Sequence, residues 1–392
     1  MIELSATPRD LRAVEPEVTF FRHDLGEAEL AAVAEVFRGP ILTTGETVVQ
    51  FEQRFAAYLG RRHCVGLTSC TGALHLSLAA LGIGRGDEVI TTPMTFIASA
   101  TAIEQAGATP IFVDVEEETG NIDPAAVEAA ITPRTRAILP VHLYGQMCDM
   151  RRIGGIAAAH GLKIVEDAAH CVEGRREDYG PGQYGDTACF SFYATKSLTS
   201  GEGGALVTDD EALAERVLLL RQHGMNKTAA SRHKEGYAHW DMPIFGWKYN
   251  MDNIQAALLL PQLERVDRNV AARRALAARY REALSRTAEV ALPTTQPGVE
   301  HAEHLFTVWV PPERRDDLLR FFKERRIAAM VNYRAIHLLE YFQRKFRLPA
   351  GTFPVAERIG DSTLSLPLYP SMPPEHADIV ARAISDFFAR PA

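Results

Sequence analysis

The stretch "HCVGLTSCTGALHLSLAALGIGRGDEVITTP", residues 63–93, decides the fold. It opens on a β-type run (63–69) and passes through an apolar helical segment (71–82) that stops on Gly82. After the turn "IGRGDE" it returns to a β-type run (87–93). Strand, helix and strand in that order make one parallel crossover unit. The alternation continues downstream. β-type runs recur at 109–115, 136–143, 163–169, 187–193 and 203–209, and helical segments at 96–106, 123–131 and 149–160 separate the earlier ones. The segment 123–131 opens with Asp123-Pro124, an N-cap followed by proline at the first helical position. This pattern predicts an α/β protein with a seven-stranded, mostly parallel sheet and helices on both faces. No helix separates the last two runs, so at least one of them runs antiparallel.

From residue 222 the texture changes. "QHGMNKTAASRHKEGYAHWDMPIFGWKYN" is polar, rich in His, Lys and aromatics, and without helical or strand period. A loop of that length in a compact protein is more often functional than neutral. A helical stretch follows over 252–285. Beyond it, "EHLFTVWV" reads as a strand, "RRDDLLRFFKERRI" as an amphipathic helix, "AAMVNYR" as a strand and "PEHADIVARAISDFF" as a closing helix. The expected division is a large domain over 1–255, including an N-terminal arm, and a smaller α+β domain over 256–392.

Composition narrows the function classes. The 392 residues are 46% hydrophobic and 23% charged, as in an ordinary globular protein. The net charge of −8 gives no reason to expect nucleic-acid binding. Five cysteines are scattered with no CxxC spacing, so neither a zinc site nor a disulfide framework is signalled. "MIELSATPRD" lacks the pattern of a secretory signal, and the apolar runs are too short to span a bilayer, so the cytoplasm is the expected compartment.

The chemistry centres on "CFSFYATKSLTSGEGGALVTDD", residues 189–210. Lysine is scarce in this chain, yet Lys196 stands between an apolar strand and a glycine-rich turn. Burial there lowers an amine's pKa and frees its lone pair. In a doubly wound sheet, ligands sit beyond the carboxyl ends of the strands. That rim collects Ser69, Cys70, Thr71 and Gly72, then Thr95 and Phe96, then His142, then Asp167 and His170, then Ser191 and Lys196. Several of these have a plain structural reading. "TSCTGALHL" reads as a helix cap or as a phosphate cradle. Phe96 reads as core or as a stacking surface, and His142 and His170 as satisfied polar groups or as catalysts. Asp167, in "KIVEDAAH", is harder to set aside, because a carboxylate at a buried strand end needs a cationic partner. "GIGRGDE" precedes a strand instead of following one, which argues against a dinucleotide fingerprint. A lysine Schiff base with an aspartate facing a pyridinium nitrogen is the binding pattern of pyridoxal phosphate. In that reading Thr71, Gly72 and Ser191 take the phosphate and Phe96 covers one ring face.

These residues, with "GPILTTGETVVQFEQRFAAYLG", "ITPRTRAILPVHLYGQMCDM" and "WKYNMDNIQAALLLPQL", make the chain similar to the DegT-type sugar-nucleotide aminotransferases over nearly its whole length. The resemblance implies the fold-type-I pyridoxal-phosphate architecture. It also implies a homodimer with shared active sites, and amino transfer from L-glutamate, leaving 2-oxoglutarate, to a keto sugar bound as its nucleotide diphosphate. It assigns Lys196 to the Schiff base, Asp167 to the pyridine nitrogen and His170 to the ring hydroxyl. It has the neighbouring subunit supply the "WKYN" segment, with Lys248 and Asn250. Most of the family has Asn and Arg at those two positions. The Lys-Tyr-Asn form, with "EDAAH" and "YRAIH", is instead similar to the branch acting on UDP-4-keto-pentoses, the UDP-4-amino-4-deoxy-arabinose aminotransferases. That branch usually has Trp at Phe96 and His at Tyr193. Candidates for contacting substrate are Thr44, Tyr193, Arg221, Arg334 and His337. The basic loop with His223, Lys227, Arg232 and Lys234 reads as a diphosphate or carboxylate clamp or as a solvated loop. Two alternatives remain: an aminotransferase acting on a cyclic ketone, and a cofactor-bound sensor without turnover. A same-fold dehydratase would carry histidine in place of Lys196.

Overall fold

The computed structural model describes residues 17–226 and 239–390. Seven strands form the central sheet: β1 (His63–Leu67), β2 (Glu88–Thr91), β3 (Thr109–Phe112), β4 (Thr135–Ile138), β5 (Lys163–Asp167), β7 (Thr187–Ser191) and β8 (Gly204–Thr208). Their order is β1-β8-β7-β5-β4-β2-β3. The pairs among β3, β2, β4, β5 and β7 are parallel. β8 runs antiparallel to both β1 and β7. The reversal follows from the chain: the glycine-rich turn after Lys196 is too short for a crossover helix. A short outlying ribbon pairs β6 (Arg175–Arg176) with β9 (Val299–Glu300).

Two helices near the start go beyond the sequence reading: α1 (Glu27–Arg38) and α2 (Glu46–Leu59). α2 buries Phe51 and Phe55 against Phe190 and Phe192 of the Lys196 strand, with edge-on ring contacts of 5.2–5.4 Å. The next helix, α3 (Cys70–Ala80), is capped by Ser69, whose Oγ accepts the Gly72 N–H at 3.0 Å. It is buried nearly all round, as expected of a helix sandwiched between a sheet and other helices. Asp123 caps its helix as its sequence position implied, accepting the Ala125 N–H at 2.8 Å.

The helical stretch expected over 252–285 is broken in two, Asn253–Leu263 and Val266–Leu284. Arg265 leaves helical geometry at the break and reaches Asp24 (3.1 Å) and Glu29 (2.7 Å). The helix Asn253–Leu263 packs Ala256, Leu259 and Leu263 into the core of the large sheet, together with Phe51, Phe55, Phe190 and Phe192. The second helix contributes Leu276, Ala277, Tyr280 and Leu284 to a separate core with Phe306, Phe322 and Leu364. The expected boundary at residue 255 therefore cuts a helix that belongs to the large unit. The chain passes from one core to the other along the second helix, whose Val266 still packs in the large core while Leu276 packs in the smaller one. Val18, in the N-terminal arm, packs in the smaller core and bridges Ile327.

The smaller unit carries a two-stranded antiparallel ribbon, β10 (Phe306–Trp309) and β11 (Thr363–Leu366). β11 was not legible as a strand. "AAMVNYR" is not one: Met330 makes a single bridge to Ser365, and the chain then turns away to carry Tyr333 to the large unit. Asp114, at the end of β3, accepts the N–H groups of Val355 (3.0 Å) and Ala356 (2.9 Å), so it caps a small-unit helix across the junction. No helix among the described residues is long and apolar enough to cross a membrane.

Candidate active site

Lys196 lies in a tight turn just past β7. Its N–H donates to the Tyr193 carbonyl at 2.9 Å. Gln262, from the helix Asn253–Leu263, grips the next turn on both sides. It accepts from Thr199 N at 3.0 Å and donates to Thr199 O at 2.7 Å. Ser197 donates to Glu173 Oε2 at 3.3 Å, and Glu173 is in turn paired with the buried Arg273 at 2.5 Å. Gly201 takes φ +80, which an L side chain resists. Gly204 lets β8 press on the start of α3, where an added Cβ would lie 2.3 Å from the Ser69 carbonyl carbon. These two positions explain two of the three glycines that follow the lysine.

Asp167 ends β5 and is only 6% exposed. Its Oδ2 accepts from Ser99 Oγ at 2.7 Å and its Oδ1 from Ala169 N at 3.1 Å. Ser99 is held in turn by Thr95, with 2.8 Å between their hydroxyl oxygens. Burial raises the Asp167 carboxyl above its ordinary range, against the pull of these donors and of Lys196. Lys196 is shifted down to about 8 by burial, with Cys70 and Asp167 acting the other way. Burial, then the Lys196 charge, holds His170 neutral. Its Nε2 lies 3.2 Å from the Tyr333 hydroxyl, and its Nδ1 is buried with no partner. His304 packs against it with the rings tilted by 35° and centroids 4.5 Å apart, and burial likewise keeps His304 neutral.

Other expected residues fall at the same mouth. Phe96 is 54% exposed and its ring centroid stands 5.9 Å from that of Tyr333. Ser191 is buried at the end of β7, and its Oγ accepts from Tyr193 N at 3.4 Å. Thr71 lies in the first turn of α3, where the opening N–H groups have no intrahelical acceptor. Gly72 is different, since its N–H is taken by Ser69. Tyr193 and Arg334 are exposed. Lys248 donates to Asn250, Asn250 to Thr44 Oγ1 at 2.7 Å, and Thr44 to the Met251 carbonyl at 2.7 Å. That chain of contacts runs beside β1, which Asn250 bridges at Leu67.

Two expected substrate contacts are corrected. Arg221 is buried and committed to Glu52 at 2.5 Å and to the Gly66 carbonyl at 2.8 Å, so it is a structural cation. His337 is fully buried against Phe353 and pairs with Glu357 at 3.0 Å. Lys227, Arg232 and Lys234 lie outside the described residues. His142 proves a satisfied polar group: Nδ1 accepts from Cys148 N at 3.2 Å, leaving Nε2–H to donate to Glu166 at 2.9 Å. Sequence reasoning missed His304, Tyr333, Ser99, Glu173 and Arg273. "EHLFTVWV" carried a signal for one of them, a histidine at a strand start, and "YRAIH" opens on Tyr333.

A half-buried lysine and a buried aspartate, gathered beyond the carboxyl ends of a mostly parallel sheet, match the Schiff-base lysine and ring-nitrogen aspartate of the fold-type-I pyridoxal-phosphate enzymes. A model of the DegT/DnrJ/EryC1/StrS aminotransferase family matches residues 23–385, and the chain belongs to that family. The chain is 43% identical over 368 residues to the spore coat polysaccharide biosynthesis protein SpsC of Bacillus subtilis, covering 92% of this chain and 95% of that one. Among solved structures, S. venezuelae DesV, in complex with a ketimine intermediate, superposes with a TM-score of 0.89 at 38% identity, covering 96% of this chain and 100% of DesV. The PLP form of Spr1654 from Streptococcus pneumoniae superposes with a TM-score of 0.88 at 28% identity, covering 94% and 98%. The protein is a pyridoxal-phosphate-dependent sugar aminotransferase. The site's own chemistry suits the cofactor. Asp167 is a buried anion with no ion-pair partner among the described residues, and His170 Nδ1 is a buried polar atom without a partner.

Proposed function

We propose that this enzyme moves the amino group of L-glutamate to the C4 keto carbon of a sugar carried on a nucleotide diphosphate. The two half-reactions share one site. The observation that carries the reading is Lys196 and Asp167 at one site, a half-buried amine shifted down to about 8 and a buried carboxylate raised by burial. Pyridoxal phosphate, when bound, supplies an aldehyde that captures amines and a ring that withdraws electrons from the carbon losing its proton. Asp167 holds the proton on the ring nitrogen. A cation facing it relieves the cost of burying its charge. Lys196, whose amine gives up its proton more readily than an ordinary lysine's, would take a proton from the donor's α-carbon at Nζ and return it to the cofactor's former aldehyde carbon, across the nitrogen the two carbons share. Ser191 and Thr71 would hold the phosphate, Phe96 would cover a ring face, and His170 would serve the ring oxygen. Tyr193 and Arg334, both exposed, would meet the sugar nucleotide. The exposed faces of α1 and α2, with Leu30, Phe37 and Val49, support a homodimer. In it, Lys248 and Asn250 serve the neighbouring site.

The test is an absorbance spectrum of the purified protein with pyridoxal phosphate. L-Glutamate should bleach the visible band, and a UDP-4-keto sugar should restore it. A band that ignores glutamate sinks the donor assignment. Equal recovery with a cyclic ketone or a free keto sugar sinks the nucleotide-sugar assignment.

A further inference from the structure

Tyr333 reaches the site from a segment with no regular structure in the smaller unit. Its hydroxyl stands 3.2 Å from His170 Nε2, and the two rings are nearly parallel, 14° apart with centroids at 6.0 Å. Burial raises the Tyr333 phenol, so the O–H stays intact. Burial and the Lys196 charge keep the His170 ring neutral. A neutral imidazole carries one proton and one acceptor nitrogen. Between a phenol and such a ring, the phenol is the stronger acid and the ring nitrogen the stronger base. The O–H therefore donates to Nε2, and the imidazole proton goes to Nδ1. Nδ1 is the buried atom without a partner. An N–H donor is thus held in place with nothing to donate to, beside the lysine and aspartate that receive the cofactor.

We propose that Tyr333 is a positioning residue: it fixes His170 in the Nδ1–H form and so presents a donor to the anionic ring oxygen of pyridoxal phosphate. His304, its ring tilted 35° to that of His170 with centroids 4.5 Å apart, crowds the imidazole and restricts its turning away from the phenol. The inference rests on the placement of His170 at that oxygen. A donor there draws charge off the oxygen. Losing it strengthens the oxygen's hold on the neighbouring protonated nitrogen, which then titrates at higher pH.

The experiment compares the whole protein with Tyr333→Phe, both labelled with ¹⁵N-histidine. Long-range ¹H–¹⁵N correlation is recorded without cofactor, and His170→Gln identifies the signal. In the wild type His170 should be the Nδ1–H tautomer, and in Tyr333→Phe the Nε2–H form should appear. With pyridoxal phosphate bound, the pH midpoint of the visible band should rise in Tyr333→Phe by about one unit. A purely structural role for Tyr333 would lower thermal stability and leave tautomer and midpoint unmoved, which overturns the proposal. So does an Nε2–H tautomer in the wild type. The cofactor-free tautomer decides the role of Tyr333 even if glutamate fails to bleach the band. A shifted tautomer with an unmoved midpoint instead separates His170 from the ring oxygen.

Discussion

Asp167→Asn separates what the fold wants from what the chemistry wants. Asp167 is nearly fully buried and its carboxyl is raised by that burial. The sign follows from linkage. A carboxyl whose folded pKa exceeds its unfolded value contributes stability below the unfolded pKa and loses it as pH rises through the folded pKa. At neutral pH the ionised Asp167 therefore costs the cofactor-free protein stability. An amide in its place carries no charge. The Ser99 hydroxyl can turn to accept from the new NH₂, and the amide oxygen can keep the Ala169 N–H. The cofactor-free variant should melt at the wild-type temperature or slightly above it. The ring nitrogen, however, loses its buried anion. Removing one partner of a buried charge pair costs about 3–5 kcal/mol, or about 10²- to 10⁴-fold in rate at ~1.36 kcal/mol per decade. Single-turnover absorbance with L-glutamate measures the loss, and a thermal melt without cofactor measures stability. A rate within a few-fold of wild type, or a melting temperature that falls sharply, would refute the reasoning.

Further predictions follow from the same geometry. Lys196→Ala should abolish turnover and leave the cofactor removable by gel filtration, whereas retained activity would dismiss the lysine mechanism. In the cofactor-free protein, labelling of Lys196 by an amine-reactive electrophile should rise through a midpoint near pH 8, not near the ordinary 10.5; mass spectrometry across pH reads this directly, and a midpoint at the ordinary value refutes it. Arg273→Met leaves Glu173 buried without its cation and should lose about 3–5 kcal/mol in urea unfolding, while adding Glu173→Gln should recover much of it. Gly204→Ala forces a Cβ within 2.3–2.4 Å of the Ser69–Cys70 backbone and should weaken both stability and cofactor affinity; an unchanged affinity would show that β8 does not shape the phosphate end.

Much of the large unit was legible because its signals are local. Strand and helix periods, the Asp123-Pro124 start and the stop at Gly82 act within a few residues of themselves. Lys196, Asp167, Phe96, Ser191 and Thr71 were legible too, since a rim of strand ends gathers whatever follows each strand. The misreadings share one cause. Arg221 and His337 look like free polar groups in the sequence, but Glu52 and Glu357, from other segments, pair with them. "AAMVNYR" has strand composition, yet its place beside β11 allows only one bridge.

The sequence by itself determined the order of strands and helices across the central sheet, from residue 63 to 209, the antiparallel turn after Lys196 and the family to which the chain belongs. Local propensity and motif spacing travel with the chain. Only the tertiary structure decided the surroundings of the lysine. Tyr333 and His304 come to His170 from the smaller unit, and Arg273 reaches Glu173 from a helix on the far side of the junction. Such partners are chosen by which faces pack together. Burial then raises or lowers each proton affinity at the site, and burial is a property of the packed whole.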